Sequence, residues 1–457
     1  MKTLGSKLFG SSGVRGLVNA ELTPLLAAKI ALTVATFSKA KRVLVARDTR
    51  VSGLMLENAL VSGLLAGGAS VNCVGVLPTP TLAYLTKKLN VDVGFMITAS
   101  HNPPEYNGIK IFNNDSTAYD EKSQDKIERA MGKEKLGLTD WRDAGEVSYI
   151  DKSFLYIEKL KTVELHKKWH IVVDPGCGAT HTLSTKIFRN LKCKMTAINA
   201  QPDGFFPARS PEPNADTLKP LAKIVQELGA DVGIAYDGDG DRVAFIDEKG
   251  NFLDFDRVLS AYAACIVKKK GRGIVVTNVE ASMGVEKMVE KEGGRVARTK
   301  VGDVYVAEAV KRYGALFGGE PCGAWIHPQF NYCPDGILSS VLFLKTLENE
   351  KKSVSDFIAE VPQYMTLREN FSCKNDVKYI VVEKVREGLK SVFPACKKIS
   401  TVDGVRLALE SAWILVRASG TEPLIRLTAE GESLKAAKQI MGRGVTLVKR
   451  FVGEMVK

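Results

Sequence analysis

The sequence lacks any long apolar segment. A membrane-spanning helix needs about 18 or more consecutive apolar residues, and no window of this chain comes near that length. The best candidate, residues 25–37, is interrupted by Lys29 and is too short to span a bilayer. The first residues, MKTLGSKLFGSSG, show neither the apolar core nor the cleavage pattern of a signal peptide. We therefore expect a cytoplasmic protein without a membrane partner.

Closely spaced cysteine pairs are also missing. The eight cysteines are scattered and form no C-x-x-C pair: Cys73, Cys177, Cys193, Cys265, Cys322, Cys333, Cys373 and Cys396. This distribution argues against a zinc site and against the disulfide framework of a secreted protein. It is typical of reduced thiols.

The chain has no long basic block, although 64 lysines and arginines outnumber 52 acidic residues and give a net charge of +12. Such a charge fits either a nucleic-acid-binding protein or an enzyme with anionic substrates. The basic residues are spread along the chain, and no RNP-like aromatic motif accompanies them. The pattern favours the second alternative, and we expect no nucleic-acid partner.

A chain of 457 residues with 45% hydrophobic content is too long for one ordinary core, so we expect three or four domains. An apolar strand followed by a polar, glycine-containing loop occurs three times, at residues 92–100, 231–239 and 314–320. Helical segments between such strands favour mixed or largely parallel sheets. Three related βα units that offer their loops to one cleft are the simplest arrangement.

The pattern changes after about Pro362. Alternating residues predict strands at 378–382 and 412–416, and helices are predicted near 383–392 and 433–451. The predicted fold class is therefore α/β, with three related α/β domains that contain mixed sheets and a C-terminal α+β domain around a central cleft. The predicted domains are residues 1–145, 146–252, 253–364 and 365–457. In the first domain, the charged residues 121–135 predict a solvent-exposed helix.

The stretch TASHNPPEYNGIK, residues 98–110, follows a short apolar strand. Its serine, histidine, asparagines and prolines cannot continue a strand and predict a loop. Ser100 and His101 should therefore lie at the exit of a strand, where α/β sheets bind their ligands. In isolation, the pattern is also typical of a proline-rich turn with an exposed serine.

Asp237, Asp239 and Asp241 lie two residues apart in the sequence DGDGDR. Crowded carboxylates repel one another unless a cation lies among their oxygens, so a hard divalent metal is the simplest explanation. An EF-hand calcium loop is the alternative, because Glu248 stands at its twelfth position. Arg242, however, occupies the sixth position, where an EF-hand requires glycine, and the residues that follow predict a strand.

Two further segments offer donors for an anionic group. Residues 9–16, FGSSGVRG, place glycines and serines around Arg15, a combination that suits a phosphate. The alternative is a mobile N-terminal segment, which is common for sequences rich in glycine and serine. Residues 417–426 combine arginines, hydroxyls and glycine N–H groups, a set suited to a dianion. The candidate ligands in this second segment are Arg417, Ser419, Gly420, Thr421 and Arg426.

Together, these motifs resemble those of the α-D-phosphohexomutase family. Five of them occur in the family's order, and the matches at 98–110, 237–242 and 417–426 are the strongest. The resemblance implies that Ser100 carries a phosphoryl group. It also implies that residues 417–426 hold the phosphate that is not reacting. By the same resemblance, the metal is Mg²⁺. Its ligands are the phosphate on Ser100 and the carboxylates of Asp237, Asp239 and Asp241, and Arg242 supports the site.

The resemblance also suggests roles for three basic residues near Ser100. Lys110 is a candidate general acid or base, aided by Arg15; a solvated loop lysine is the alternative. His101 either steers the phosphate or only forms a hydrogen bond within the loop. These residues complete the predicted catalytic group.

Residues 317–325, FGGEPCGAW, match the family's sugar-binding loop only in part. Glu320 keeps the acceptor pair that can bind two vicinal sugar hydroxyls. Cys322 stands where most members have serine, and Ala324 stands where they have histidine. Because a thiol is a weaker hydrogen-bonding group than a hydroxyl, we expect Trp325 or His327 to compensate.

The segment 299–306, which includes Gly302 and Asp303, resembles that of phosphoglucosamine mutases more than that of the mannose and glucose branch. We therefore add Gly302 and Asp303 to the predicted substrate-binding residues. This segment favours glucosamine 6-phosphate as the substrate.

The resemblance implies a reaction that moves a phosphoryl group between O6 and O1 of a hexose. A hexose 1,6-bisphosphate serves as intermediate and activator, and the fourth domain is expected to close on the sugar phosphate. The alternatives are a mutase of broad specificity for mannose and glucose phosphates, and a catalytically inactive regulator that binds sugar phosphates. The sequence leaves the oligomeric state open, with a homodimer as one option.

Overall fold

The structure, a computed structural model, describes residues 8–10, 12–132, 137–420 and 422–456. The first unit contains β1 (Val14–Leu17), α1 (Pro24–Ser38), β2 (Arg42–Arg47), α2 (Gly53–Ala66), β3 (Ser70–Val76), α3 (Thr79–Lys88), β4 (Val93–Ile97), β5 (Tyr106–Asn113), α4 (Glu121–Met131), a short 3₁₀ helix (Trp141–Asp143) and β6 (Val147–Tyr149). Its strands form one sheet in the order β1-β5-β4-β2-β3-β6. β5 runs antiparallel to both of its neighbours, and the remaining pairs are parallel.

The second unit contains α5 (Ser153–Lys161), β7 (His170–Asp174), α6 (His181–Asn190), β8 (Lys194–Ala197), α7 (Lys219–Leu228), β9 (Val232–Tyr236) and β10 (Val243–Ile246). Its sheet has the order β10-β9-β7-β8, with β10 antiparallel to β9 and the other pairs parallel. The reversal at β10 places the loop between β9 and β10 at the carboxyl end of β9.

The third unit contains α8 (Phe255–Lys270), β11 (Ile274–Asn278), α9 (Gly284–Lys291), β12 (Arg295–Thr299), α10 (Asp303–Tyr313), β13 (Phe317–Gly319), β14 (Trp325–Ile326), α11 (Gly336–Glu350) and α12 (Val354–Ala359). Its sheet has the order β12-β11-β13-β14, and β14 is the antiparallel strand. The loop after β13 therefore turns back beside the loop that follows β11.

The fourth unit contains β15 (Met365–Ser372), α13 (Lys378–Val392), β16 (Lys398–Ser400), β17 (Val405–Ala408), β18 (Ala412–Ala418), β19 (Leu424–Gly431) and α14 (Leu434–Val456). Its five strands are all antiparallel, in the order β15-β19-β18-β17-β16. Mixed sheets in three units and an α+β fourth unit confirm the predicted fold class.

Helix starts follow the local sequence. Thr23 caps α1, because its hydroxyl oxygen accepts a hydrogen bond from the N–H of Leu26, and Pro24 occupies the first helical turn. Asp254 and Asp335 cap α8 and α11 in the same way. These caps satisfy N–H groups that a helix cannot pair internally.

Two strand predictions are wrong in their position or type. Residues 378–382 form the first turns of α13, not a strand, because Val381, Val385 and Leu389 continue as a buried helical stripe. The strand predicted from Gly314 begins only at Phe317. Gly314 itself caps α10 with a left-handed backbone, which interrupts an extended chain.

The predicted loop at 98–110 is shorter than expected, because its last five residues belong to β5. These residues pair with β4 on one side and β1 on the other, a tertiary contact that local composition does not indicate. The predicted helix at 121–135 is confirmed as α4, which buries Gln124 and Ile127 on one face. Residues 133–135 of that prediction lie outside the described residues.

The predicted domain boundaries stay predictions. Each predicted segment contains one complete sheet, with the exception that β6 pairs with β3 although it follows the boundary predicted at residue 145. All eight cysteines are free thiols, as predicted. Within the described part of the chain, no helix is long and apolar enough to cross a bilayer.

One large apolar cluster joins the first three units, and the first unit has a second cluster of its own. One cluster extends from Met96 in the first unit through Tyr236 in the second to Phe317 in the third. The fourth unit has its own cluster between its sheet and its helices. A small cluster of Val279, Trp413 and Leu415 joins the third and fourth units. The first three units are thus packed as one body, and the fourth is attached through a smaller apolar contact.

Candidate active site

Ser100 lies three residues beyond the end of β4, as predicted for a strand exit. The residue is buried and its backbone is left-handed, with φ of +51°, a conformation that is uncommon for residues other than glycine. Its Oγ donates a hydrogen bond of 2.6 Å to Oδ2 of Asp237 in the second unit. A proline-rich turn with an exposed serine is therefore excluded.

Asp237, Asp239 and Asp241 form a buried cluster at the carboxyl end of β9. One oxygen from each carboxylate lies within 4.8 Å of the others. The loop approaches the serine closely at Gly238, where an added Cβ would lie 2.5 Å from the carbonyl oxygen of Ser100. Glycine is therefore required at this position of the DGDGDR sequence.

The donor set of this cluster fits a divalent cation. The Oδ1 atoms of Asp239 and Asp241 are buried and accept no hydrogen bond from any described residue. A buried carboxylate oxygen without a partner is costly, and hard divalent cations bind such oxygens. Ser100 Oγ lies beside the same group of oxygens.

Electrostatics in the cluster lead to the same conclusion. Burial, reinforced by the neighbouring carboxylates, raises the pKa of Asp237 and of Asp241 above their ordinary values. Burial, the largest influence, would also raise the pKa of Asp239, but the charge of Lys110 together with the hydrogen bonds from Lys110 and Thr79 outweighs it and lowers this pKa. Burial therefore disfavours the charged forms of Asp237 and Asp241, and a bound cation would stabilise them and relieve the repulsion between the carboxylates.

Lys110 lies on β5 and is buried, so the alternative of a solvated loop lysine is wrong. Its Nζ donates to Oδ2 of Asp239 at 2.8 Å and to Oδ2 of Asp241 at 2.6 Å. Burial by itself lowers the pKa of Lys110, but these two carboxylates outweigh it and raise the pKa above the ordinary value. Lys110 is therefore charged and leaves the Oδ1 atoms of both aspartates available.

Arg15 contacts the loop between β4 and β5, residues 98–105 (the serine loop), and His101 lies within it. Arg15 NH1 donates to Oδ1 of Asn102 at 3.0 Å, and its buried Nε has no partner among the described residues. His101 Nδ1 lies 3.3 Å from Ser100 Oγ. Burial, followed by the charges of Arg242 and Arg15, lowers the pKa of His101 to about 2. His101 is thus a neutral hydrogen-bonding group beside Ser100 and not a cation.

The EF-hand alternative is wrong. Glu248 Oε1 accepts a hydrogen bond of 2.5 Å from the hydroxyl of Ser355, on α12, and does not join the aspartates. The chain between them forms β10, which pairs with β9. Because β10 follows the aspartates directly, it carries Glu248, the residue at the twelfth position, away from them.

Models of the phosphoglucomutase/phosphomannomutase family, for α/β/α domains I, II and III and the C-terminal domain, match residues 6–137, 154–250, 254–364 and 369–444. The chain is 41% identical to a probable phosphoglucosamine mutase of Pyrococcus abyssi over 97% of this chain and 98% of that protein. It is also 41% identical to the phosphoglucosamine mutase of Methanocaldococcus jannaschii, over 98% and 100% of the two chains. The chain belongs to the phosphoglucomutase/phosphomannomutase family.

Solved structures of the phosphoglucomutase/phosphomannomutase family have the same fold. A family protein of Burkholderia thailandensis superposes with a TM-score of 0.88 at 25% identity, over 97% of each chain. The Aspergillus fumigatus N-acetylphosphoglucosamine mutase, solved in complex with GlcNAc-6P and magnesium, shares the fold with a TM-score of 0.57 at 18% identity, over 89% of this chain and 82% of that one.

In this phosphoglucomutase/phosphomannomutase family member, Glu320 lies directly after β13 and is buried. Its Oε1 accepts hydrogen bonds from Nδ2 of Asn278 at 2.7 Å and from the N–H of Gly302 at 2.9 Å. Its Oε2 accepts none from any described residue, which leaves one oxygen for a ligand. Gly302 has φ of +135°, a value that favours glycine at this contact.

Two contacts bring the third unit to the reaction centre. Asp303, the first residue of α10, accepts a hydrogen bond of 2.9 Å from the hydroxyl of Ser12 in the first unit. Arg242, which follows the aspartates, forms a β-bridge with Ala324 in the sugar loop. Burial raises the pKa of Cys322, in the same loop, to about 12, so this residue presents a neutral thiol.

The expectation that Trp325 or His327 compensates for Cys322 is wrong. Trp325 stacks on Tyr262 with ring centroids 4.7 Å apart, inside the aromatic core of the third unit. His327 is also buried, and its Nε2 forms a hydrogen bond with the hydroxyl of Ser339. Burial of a large aromatic surface stabilises the fold, and Trp325 and His327 both pack into the core.

The predicted phosphate loop lies between β18 and β19. Arg417 Nε donates to Oε1 of Glu280 in the third unit at 2.6 Å, and its terminal amino groups donate no hydrogen bond to a described residue. Space around Gly420 is open. Arg426 NH2 donates to Glu422, and the Oγ of Ser419 accepts from the N–H of that residue. Thr421 lies outside the described residues.

Three residues that support the site were not identified from sequence. Thr79 at the start of α3 binds Asp239, and Asn278 at the end of β11 binds Glu320. Lys378 is buried below the phosphate loop and donates to the carbonyl oxygens of Ser419 and Glu422. The sequence did contain a signal for Asn278, because a polar residue at the end of an apolar strand is a candidate site residue. The other two contacts join segments far apart in sequence.

We predict that Thr79→Val weakens Mg²⁺ binding by about 10- to 100-fold, the usual cost of removing a residue that orients a metal ligand. The hydroxyl of Thr79 donates a hydrogen bond of 2.5 Å to Oδ2 of Asp239, and valine removes it without a change of volume. Isothermal titration with Mg²⁺ measures the affinity. Thr81→Val is the matched control, because this buried hydroxyl on α3 has no partner among the described residues. Equal affinity of the two variants would contradict the prediction.

We also predict that kcat/KM for the sugar phosphate falls as the pH falls through about 7. Burial raises the pKa of Glu320 to about 7, and only its ionised form, which predominates above this pH, offers both oxygens as acceptors. The substrate's own phosphate titrates near pH 6 and gives a separate limb in the profile. Glu320→Gln should lose the limb near 7 and keep the substrate's limb. An unchanged profile in this variant would show that Glu320 does not titrate in catalysis.

Proposed function

We propose that this protein is a phosphohexomutase in which Ser100 carries the phosphoryl group that is exchanged with a hexose phosphate. The observation that carries the proposal is the buried contact between Ser100 Oγ and Asp237, in a cluster where two further carboxylate oxygens accept no hydrogen bond from a described residue. A regulator that only binds sugar phosphates has no need for a nucleophile in this setting. The full-length similarity to proteins described as phosphoglucosamine mutases supports the same class of reaction.

The residues that would hold Mg²⁺ are Asp237, Asp239 and Asp241, together with the group on Ser100. When bound there, the ion neutralises charge on the transferring phosphoryl group. This assignment is supported by the partnerless Oδ1 atoms and by the raised pKa values of two of the aspartates.

In the transfer step, the bond between phosphorus and Ser100 Oγ breaks and a bond forms between phosphorus and a sugar hydroxyl oxygen. The sugar hydroxyl gives up its proton to Lys110 as Lys110 delivers one to the serine oxygen, so the proton count balances and Lys110 ends the step charged. Lys110, held charged by two carboxylates, is our candidate for the acid that protonates Ser100 Oγ. Arg15, with a free buried Nε, is a donor for the phosphoryl oxygens.

The product of the first transfer is a hexose 1,6-bisphosphate, which must return its other phosphate to Ser100. Glu320 and the loop of Arg417 are the proposed contacts for the hydroxyls and for the phosphate that does not react. The resemblance of the segment at Gly302 and Asp303 to that of phosphoglucosamine mutases, and the similarity of the whole chain to proteins of that name, support glucosamine 6-phosphate as the first substrate to test.

We expect that the enzyme, with Mg²⁺ and a catalytic amount of hexose bisphosphate, converts glucosamine 6-phosphate at least tenfold more efficiently than mannose 1-phosphate or glucose 1-phosphate. A tenfold difference in kcat/KM corresponds to about 1.4 kcal/mol of transition-state binding. Comparable rates on all three sugars would identify a mutase of broad specificity. Ser100→Ala should be inactive with an unchanged melting curve, and substantial turnover by this variant would refute the phosphoserine mechanism.

We further expect the fourth unit to close on the substrate. Its phosphate loop contacts the third unit through Arg417 and Glu280, and a small apolar cluster joins the two units. Small-angle X-ray scattering should show a smaller radius of gyration with saturating sugar phosphate, and Arg417→Ala should reduce this change. No compaction of the wild-type enzyme with bound ligand would argue against closure.

A further inference from the structure

Arg50 lies in the turn between β2 and α2, and its side chain is fully buried. All five of its guanidinium N–H groups donate hydrogen bonds. Nε donates to Oδ2 of Asp48 at 3.0 Å. The two terminal amino groups donate to four backbone carbonyl oxygens at 2.5–2.9 Å: those of Ser100, Asn102 and Pro103 in the serine loop and that of Tyr106 at the start of β5. One side chain thus holds both the loop and the strand that follows it.

Both backbone polar groups of Ser100 belong to one closed ring of hydrogen bonds. Its carbonyl oxygen accepts from Arg50, and its N–H donates to Oγ1 of Thr98 at 2.9 Å. The hydroxyl of Thr98 donates to Oδ2 of Asp48 at 2.6 Å, and the same oxygen accepts from Arg50. The ring therefore fixes the peptide groups on both sides of the Ser100 side chain.

This fixation matters because the backbone of Ser100 is left-handed, with φ of +51°. Serine rarely adopts this conformation, which persists only where surrounding contacts enforce it. The conformation directs Oγ to Oδ2 of Asp237. If the loop relaxed to an ordinary backbone conformation, Ser100 Oγ would move away from the aspartate cluster.

The proline-rich loop at 202–213 closes the other side of the arginine. The ring of Phe206 lies over the Arg50 guanidinium, with Cζ 5.2 Å from the ring centroid. Gly204 packs so closely on the turn that an added Cβ would lie 2.4 Å from the backbone nitrogen of Val51. This loop of the second unit therefore excludes water from hydrogen bonds within the first.

We propose that Arg50 is a positioning residue for the nucleophile of the proposed mutase reaction. Its guanidinium, oriented by Asp48 and covered by Phe206, holds the serine loop in the conformation that presents Ser100 Oγ to the aspartate cluster. Arg50 touches neither the substrate nor the reacting atoms. Its effect is on the rate of phosphoryl transfer, and sugar binding is left to Glu320 and the loop of Arg417.

The test is Arg50→Lys, which keeps the charge but replaces the planar fork of donors by a point charge that cannot serve four carbonyls. Phosphorylation of Ser100 by hexose 1,6-bisphosphate, followed by intact-protein mass spectrometry in single-turnover experiments, should slow at least tenfold. The KM for the sugar phosphate and the affinity for Mg²⁺ should change by less than about twofold. A rate equal to that of the wild type would overturn the proposal.

Arg47→Lys is the matched control. Arg47 is the last residue of β2, just before the turn that contains Arg50, and its Nε pairs with Glu57 on α2. Among the described residues, no hydrogen bond joins its side chain to the serine loop. This variant should phosphorylate Ser100 at the wild-type rate. An equal slowing in both variants would mean that the effect comes from the strand end in general and would reject a specific role for Arg50.

Hydrogen exchange provides a readout that does not depend on activity. In Arg50→Lys, amides of residues 100–106 should exchange faster, whereas those of β2 and β4 should not. If the wild type takes up no phosphate at Ser100, the proposed function fails, but faster loop exchange would still support the positioning role. Should Arg50→Lys not fold, Phe206→Leu removes only the covering ring, and unchanged exchange and transfer in this variant would count against the proposal.

Discussion

The repulsion among three buried carboxylates is the constraint on which the rest of the site depends. Charges of one sign interact strongly where water is excluded, and Asp237, Asp239 and Asp241 are all buried. The protein offsets part of this charge with Lys110 and leaves two oxygens for a cation. Because Lys110 comes from the first unit and the aspartates from the second, this balance also joins the two units firmly.

The architecture places the proposed reaction centre and the proposed phosphate loop on parts of the chain with different apolar cores. Ser100, Lys110 and the aspartates belong to units that share one apolar core. Arg417 belongs to a unit with its own core, which is joined to the third unit by a small apolar cluster, by ion pairs such as Arg417–Glu280 and Lys287–Glu432, and by hydrogen bonds. In the proposed reaction a bisphosphate presents either end to Ser100, and this division would allow the phosphate loop to move while the nucleophile stays fixed.

Much of the fold and the centre of the site could be predicted, since the signals are local. Ser100 and the aspartates follow apolar strands directly, and short polar loops after such strands point to a ligand site. The errors arose where distant contacts decide. Residues 378–382 alternate like a strand but begin a helix that buries Val381 and Leu389. Trp325 resembles a ligand-binding residue in sequence, yet it stacks on Tyr262 in the core.

The sequence by itself determined the residue types of the site, their order and the strands that carry most of them, because these follow from composition and periodicity. Only the tertiary structure decided that Lys110 is a buried partner of the aspartates, since the pairing of β5 with β4 and β1 carries it there. The same holds for Arg50, whose four carbonyl partners lie about fifty residues away in sequence. Hydrogen bonds between distant segments depend on how the sheets bring them together, and no local pattern encodes that geometry.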